Sequence, residues 1–266
     1  MIVTVANQKG GVGKTTTVVN LAAALAQSGT SVLVIDLDPQ GNATTGLGAS
    51  SRSDNPGIYD VLIEGIPVED TVVHVGEHEG IQLVPASLDL AGAEIELVSM
   101  VAREYRLQKA IEQYLLDHPV DVVLIDCPPS LGLLTLNALV AAEQLLIPIQ
   151  CEYYALEGLG QLIRTVEMVK QHLNPELRIS AILLTMSDSR TNLSEQVADE
   201  VRAFFGDLVL PTVIPRSVRL SEAPGHGRSG IAYDDRAAGA EAYVQAAREF
   251  MAMTIDLTTT DAEVTV

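Results

Sequence analysis

The chain has 266 residues, with 16 Lys and Arg against 35 Asp and Glu, a formal charge of −19 and a sequence pI near 4.5. That balance excludes an all-over basic coat for nucleic acid, so any polyanion-binding surface has to be a local patch. A hydrophobic share of 47% excludes the disordered class, and the length suits one large α/β domain. Lysine is confined to Lys9, Lys14, Lys109 and Lys170. Scarce lysine beside abundant carboxylate predicts a protein kept soluble at high salt, from a halophilic source. Cys127 and Cys151 have neither disulfide nor metal-ligand spacing and read as small buried hydrophobes in a reducing compartment. No leader pattern opens the chain, and no run approaches the ~18 apolar residues of a membrane span. The expected compartment is the cytoplasm, with no membrane partner.

Short β-branched runs alternate with helical periodicity. Strands are predicted at Ile2–Ala6, Ser31–Asp36, Ile81–Val84, Asp121–Asp126, Leu145–Ile149, Ile179–Leu184 and Val209–Ile214. They are apolar throughout rather than alternating, as parallel strands covered on both faces are. A first helix carries Val18, Leu21, Ala22 and Leu25 on one face and stops at Gly29. A second stripe runs Leu156, Leu159, Ile163, Val166, Val169, Leu173. A third runs Val197, Val201, Phe204, Phe205, with Asn192 and Glu195 spaced as a capping box. A last helix is expected at 237–253. The pattern predicts a single doubly wound, mostly parallel sheet of seven or eight strands with helices on both faces. The expected organisation is one domain, 1–253, followed by an acidic, threonine-rich, flexible tail, 254–266.

The strongest motif is Lys9-Gly10-Gly11-Val12-Gly13-Lys14-Thr15-Thr16, between the first strand and the first helix. Glycines let successive N–H groups turn toward phosphate oxygens, and the helix N-terminus adds its positive end. In such a loop Lys14 reaches the β- and γ-phosphates, the Thr15 hydroxyl holds Mg²⁺, and Thr16 caps the helix near the α-phosphate. The expected cofactors are ATP and Mg²⁺. A carboxylate closing an apolar strand also faces the nucleotide edge, which selects Asp36 and Asp38 after the second strand and Asp126 after the fourth. Asp126 would hold Mg²⁺ through water.

The loop departs from the general phosphate-loop pattern in having Gln8 where a glycine is usual, followed by the extra Lys9. It resembles the deviant Walker A motif of the ParA/MinD class of P-loop ATPases. Segments Ala91–Leu97, 151–158 (CEYYALEG) and Val218–Pro224 resemble chromosomal ParA/Soj partition ATPases, so that the likeness covers residues 1–253. The resemblance implies ATP-dependent homodimerisation, non-specific DNA binding by the dimer, and slow hydrolysis stimulated by a ParB-type partner on the nucleoid. It implies that Lys9 crosses the dimer interface to the partner's nucleotide, that Asp38 orients the attacking water, and that Asp36 belongs to the Mg²⁺ and switch network. Cys127–Leu131 resembles the second switch. Arg190 and Arg219 match DNA-contacting arginines, and Pro215 and Ser217 match neighbours of the adenine, with Ser217 standing where Asn is usual.

The charges allow such a DNA surface. Residues 208–233 carry Arg216, Arg219 and Arg228 against Glu222, a net +2, and half of the arginines fall within 185–236. Phosphate-backbone contact needs no more than such a patch. The competing reading pairs these arginines with acids such as Asp188 and Glu222. The acidic tail disfavours a membrane-docking MinD-like ATPase, and the cysteines disfavour an iron–sulfur carrier. An orphan cargo-positioning ATPase and an ATP-dependent small-molecule ligase of the same superfamily stay open, as does the cargo.

Overall fold

The computed structural model describes residues 1–50, 55–75, 80–153, 159–188 and 190–263, with side chains as far as Thr254. Its eight strands are β1 Ile2–Val5, β2 Val32–Asp36, β3 Val73–His74, β4 Ile81–Val84, β5 Val122–Asp126, β6 Gln144–Gln150, β7 Arg178–Ser187 and β8 Val209–Pro215. They form one sheet in the order β3-β4-β2-β5-β1-β6-β7-β8, parallel except for the antiparallel edge pair β3–β4. The seven predicted strands are all present. The eighth, β3, has two residues at an edge, too short to leave a periodic signature.

Alternate residues of the central strands enter two separate cores. Leu33, Ile35, Val123 and Ile125 face one, while Val32, Val34, Val122 and Leu124 face the other. This is why these strands read as apolar throughout: each of their faces is buried. The first core is roofed by α3 Ile58–Ile63, α4 Leu90–Leu97, α5 Arg106–Asp117, α6 Leu133–Ala141, α7 Leu159–His172 and α8 Asn192–Phe205. The second is roofed by α1 Lys14–Gln27, α2 Asn42–Gly46, α9 Val218–Glu222, α10 Gly230–Tyr233 and α11 Ala238–Glu263. Tyr243 and Phe250 of α11 are fully buried, each worth about 1.5–3 kcal/mol of apolar burial. The Tyr243 hydroxyl lies 3.2 Å from Thr17 Oγ1 of α1.

Several local expectations are corrected. Thr16 lies inside α1 and does not cap it; the N-cap is Gly13, whose φ of +89° suits a residue without Cβ. The N-cap of α8 is Thr191 rather than Asn192, and no side chain caps it, so there is no capping box there. Phe204 is 72% exposed while Phe205 packs on the core, because Val197, Val201 and Phe205 follow one another at four-residue steps on the inner face and Phe204 falls beside it. The final helix runs on past Met253 to Glu263, a stretch without Gly or Pro to stop it. Leu156, with the rest of 154–158, lies outside the described residues.

Candidate nucleotide site

Strand register assembles the site. Asp36 and Asp126 are direct neighbours at the C-terminal ends of β2 and β5, and Val5 of β1 lies beside Asp126. The 6–13 loop therefore leaves β1 next to both carboxylates, at the edge where open α/β sheets bind ligands. Asn7 pins the mouth of the loop: its Nδ2 donates to Pro148 O at 2.8 Å, and its Oδ1 accepts from Lys9 N at 3.0 Å. Gly11 and Gly13 both take positive φ, which gives the loop its curl. At the far side Thr185 Oγ1 donates to Val12 O at 2.8 Å.

The two loop lysines have different surroundings. Lys14 is buried and donates to Lys9 O at 3.1 Å inside the cradle. Burial pushes its ammonium below the usual lysine range, opposed by the charges of Asp126, Cys127 and Asp38. Lys9 is partly exposed and pairs with Glu152, just beyond β6. Sequence reasoning missed Glu152 as a site residue, since it lies 143 positions from Lys9 and only the fold joins them.

Thr15 Oγ1 donates to Asp126 Oδ2 at 2.7 Å, while Asp126 Oδ1 is buried without a partner among the described residues. A hydroxyl and a carboxylate side by side, with one hard oxygen unengaged, fit Mg²⁺ chemistry, and these two residues would hold the ion. Asp36 has a different occupation. Its Oδ2 accepts from the Thr44 amide and hydroxyl, both at 2.7 Å, and its Oδ1 from Asp38 N at 3.1 Å, so it braces the 36–44 turn. Asp38 is 8% exposed, and its Oδ1 accepts from Gln40 N at 2.9 Å. Burial raises the Asp36 carboxyl to about 6 despite the Thr44 and Asp38 bonds. Burial first, then the Asp36 charge, raises Asp126 well above the usual carboxylate range.

Three carboxylates thus gather at one sheet edge with only the buried Lys14 ammonium near two of them, Asp126 and Asp38, and the nucleotide-free site stores repulsion. Because the folded Asp36 carboxyl titrates near 6, the native chain holds a proton that the unfolded chain has lost between the ordinary carboxylate range and that value. Its contribution to stability therefore falls as pH rises through that window. Asp126→Asn is expected to raise the thermal midpoint of nucleotide-free protein at pH 7 by roughly 2–8 °C, the equivalent of about 1–2 kcal/mol, and to weaken Mg²⁺-dependent turnover. A melting series from pH 5 to 8 checks it; a midpoint unchanged or lowered at pH 7 removes the repulsion account.

Pro215, Ser217, Gly13, Thr16 and Met186 line a cleft of about 230 Å³ beside the loop. Met186 takes φ +52°, a left-handed conformation uncommon outside glycine. Ser217 Oγ caps α9 by accepting from Leu220 N at 3.5 Å. Arg190 and Arg219 are exposed and paired. Arg190 forks onto both Asp188 oxygens at 2.8 and 2.6 Å, which holds that carboxyl well below its usual range. Arg219 reaches Glu222 at 3.1 Å and Asp234 at 3.4 Å. Arg216 N donates to Ser187 O at 2.9 Å, so the ends of β7 and β8 bring Arg190 and Arg216 onto one cleft of about 400 Å³ together with Glu152.

A parallel sheet with a glycine-rich loop between β1 and α1, a buried loop lysine, and strand-end carboxylates in register defines a P-loop ATPase. The family described as an AAA domain matches residues 1–179. The chain is 53% identical to the sporulation initiation inhibitor protein Soj of Bacillus subtilis, over 94% of this chain and 98% of that one. It is 52% identical to the chromosome partitioning protein ParA of Caulobacter vibrioides strain NA1000, over 93% and 92%. A crystal structure of cobyrinic acid a,c-diamide synthase from Mycobacterium smegmatis, with an ATP analogue and magnesium bound, is similar at a TM-score of 0.80 and 42% identity, covering 93% of this chain and 92% of that one. The chain belongs to the ParA/Soj family of partitioning ATPases. It hydrolyses ATP and uses Mg²⁺.

Proposed function

We propose that the chain acts in chromosome or plasmid partitioning as an ATP-driven homodimer that binds DNA without sequence preference, with hydrolysis stimulated by a ParB-type partner. The observation that carries this reading is the second loop lysine. Lys9 sits at the mouth of the phosphate loop with its charge held by Glu152, while Lys14 alone serves the cradle. A γ-phosphate presented by a second copy offers Lys9 a stronger anion than one half-exposed carboxylate, so nucleotide favours the dimer. Asp38, fixed by its turn, orients the attacking water. The Cys127–Leu131 loop relaxes when phosphate leaves, and the dimer parts. Mg²⁺, when bound, neutralises charge on the β- and γ-phosphates. The acidic, threonine-rich segment from 254 takes no part in the catalytic site, and the protein works in the cytoplasm on the nucleoid. No helix among the described residues is long and apolar enough to cross a membrane.

The DNA surface is built from Arg190 and Arg216, beyond the C-terminal ends of β7 and β8, and from Arg219 on the following helix α9. The arginines themselves are exposed, and the Arg219–Glu222 pair is exposed on both sides and contributes little, so duplex phosphates can replace Glu222 readily; Arg190 has to exchange a bidentate grip on the half-buried Asp188. Arg190→Glu with Arg219→Glu is expected to abolish DNA co-sedimentation in ATP while leaving ATP-driven dimerisation intact. Retained DNA binding relocates the surface. A halophilic source, inferred from composition, makes the salt series the informative axis of that experiment.

The likeness to the M. smegmatis cobyrinic acid a,c-diamide synthase favours a second reading, an ATP-dependent small-molecule ligase that forms amides. That reading predicts turnover raised by a carboxylic-acid substrate with an amine donor and indifferent to DNA. The same ATPase assay separates the two.

A further inference from the structure

Helix α4 belongs to none of the nucleotide motifs, yet one of its side chains reaches them. Leu90, Ala93 and Leu97 bury its inner face in the first core, and Ile95 stands 79% exposed on the outside. Between these faces Glu94 points along the sheet edge. With Leu90 and Ala91 it lines a cavity of about 320 Å³ whose other walls are Asp38–Gln40 and Pro128–Ser130, the loops on either side of the phosphate position.

The Glu94 carboxylate lies against Gly132. A Cβ there would collide with the carboxylate and force this flexible side chain to swing away, so a residue without Cβ is what lets Glu94 lie here; the backbone angles of Gly132 are ordinary. Glu94 Oε1 is closed off from solvent and has no hydrogen-bond partner among the described residues. Gly132 is also the N-cap of α6, and no side chain caps that helix. An acceptor without a donor therefore stands beside a helix start whose N–H groups have no side-chain acceptor.

We propose that Glu94 is a positioning residue for ATP hydrolysis. Its carboxylate caps α6 from outside when the 128–132 loop takes its hydrolysis-competent place, and so holds that loop against Asp38. The uncapped arrangement is the resting one. This rests on the reading of Cys127–Leu131 as the phosphate-sensing loop, and the test separates the two.

Steady-state ATPase is measured for Glu94→Ala, Glu94→Gln, Gly132→Ala and the Glu94→Ala/Gly132→Ala double variant, with melting curves to confirm folding. Glu94→Ala and Gly132→Ala are each expected to lower kcat about tenfold with KM for ATP changed less than about twofold. Glu94→Gln, which keeps an acceptor oxygen, stays within about twofold of wild type. The double variant is no worse than either single one, because each change removes the same contact. A Glu94→Ala kcat within about twofold of wild type, a loss lying in KM, or losses that multiply in the double variant overturns the proposal. Should Gly132→Ala fail to fold, the contrast between Glu94→Ala and Glu94→Gln decides alone. Amide hydrogen exchange of 127–135 with and without a non-hydrolysable ATP analogue supplies the second readout. Wild-type protein gains protection in the first turn of α6, and Glu94→Ala does not. Equal gains in both overturn the role of Glu94 while leaving the loop reading intact; no gain in wild type overturns both.

Discussion

Asp38→Ala lowers ATP turnover by roughly 10²–10⁴-fold while nucleotide binding persists, the span expected for loss of a group that orients the nucleophile. The geometry supports so clean a separation. Asp38 is buried, its Oδ1 is held by the Gln40 amide, and the turn that carries it hangs from Asp36, so its carboxylate contributes to none of the loop's own bonds. Asp38→Asn keeps an oxygen for the Gln40 contact and should lose a similar factor, which distinguishes chemistry from collapse of the turn. Single-turnover hydrolysis beside equilibrium ATP binding measures both. In the proposed cycle the variant accumulates as an ATP-bound dimer on DNA; a variant that stays monomeric with ATP breaks the link between nucleotide and assembly.

Lys9→Ala is expected to bind ATP and yet fail to dimerise. Removing one partner of a desolvated intersubunit charge pair costs about 2 kcal/mol or more, about thirtyfold in the dimer constant. Sedimentation velocity across an ATP titration reads the effect. Glu152→Gln is the complement, because it frees Lys9 in the single chain and should bring the dimer at lower ATP. If Lys9→Ala sediments as wild type does, Lys9 has no place in assembly. If Glu152→Gln needs more ATP instead of less, the pair supports the bound state rather than opposing it.

Strands and phosphate loop were legible in the sequence because both are local. Runs such as Val122–Asp126 declare two buried faces, and eight adjacent loop residues declare a phosphate cradle. Helix α6 escaped for the opposite reason: Leu133–Ala141 is buried on nearly every side and shows no polar stripe. Helix α5 carries a visible stripe in Leu107, Ile111 and Tyr114 but no cap residue marks its start. At the site, strand-end carboxylates could be located from the sequence, although their occupations could not. Asp36 braces Thr44, and only the eight-residue excursion of the turn reveals it. The Lys9–Glu152 pair and the Glu94–Gly132 contact join elements far apart in the chain, which no spacing rule reaches. The paired state of Arg190 and Arg219 was the competing reading of those residues, and the pairs are present.

The contact between Thr17 and Tyr243 spans 226 positions. Translation at roughly 5–20 residues per second separates their synthesis by roughly eleven to forty-five seconds. By the time β6 has been made, the helix that follows the phosphate loop has all of its strand partners, yet it still lacks the cover of α11, and its Thr17 side stands where water or another chain can reach it. A nascent chain of this topology is therefore most in need of shielding around its oldest functional segment, and it completes its second core late in synthesis.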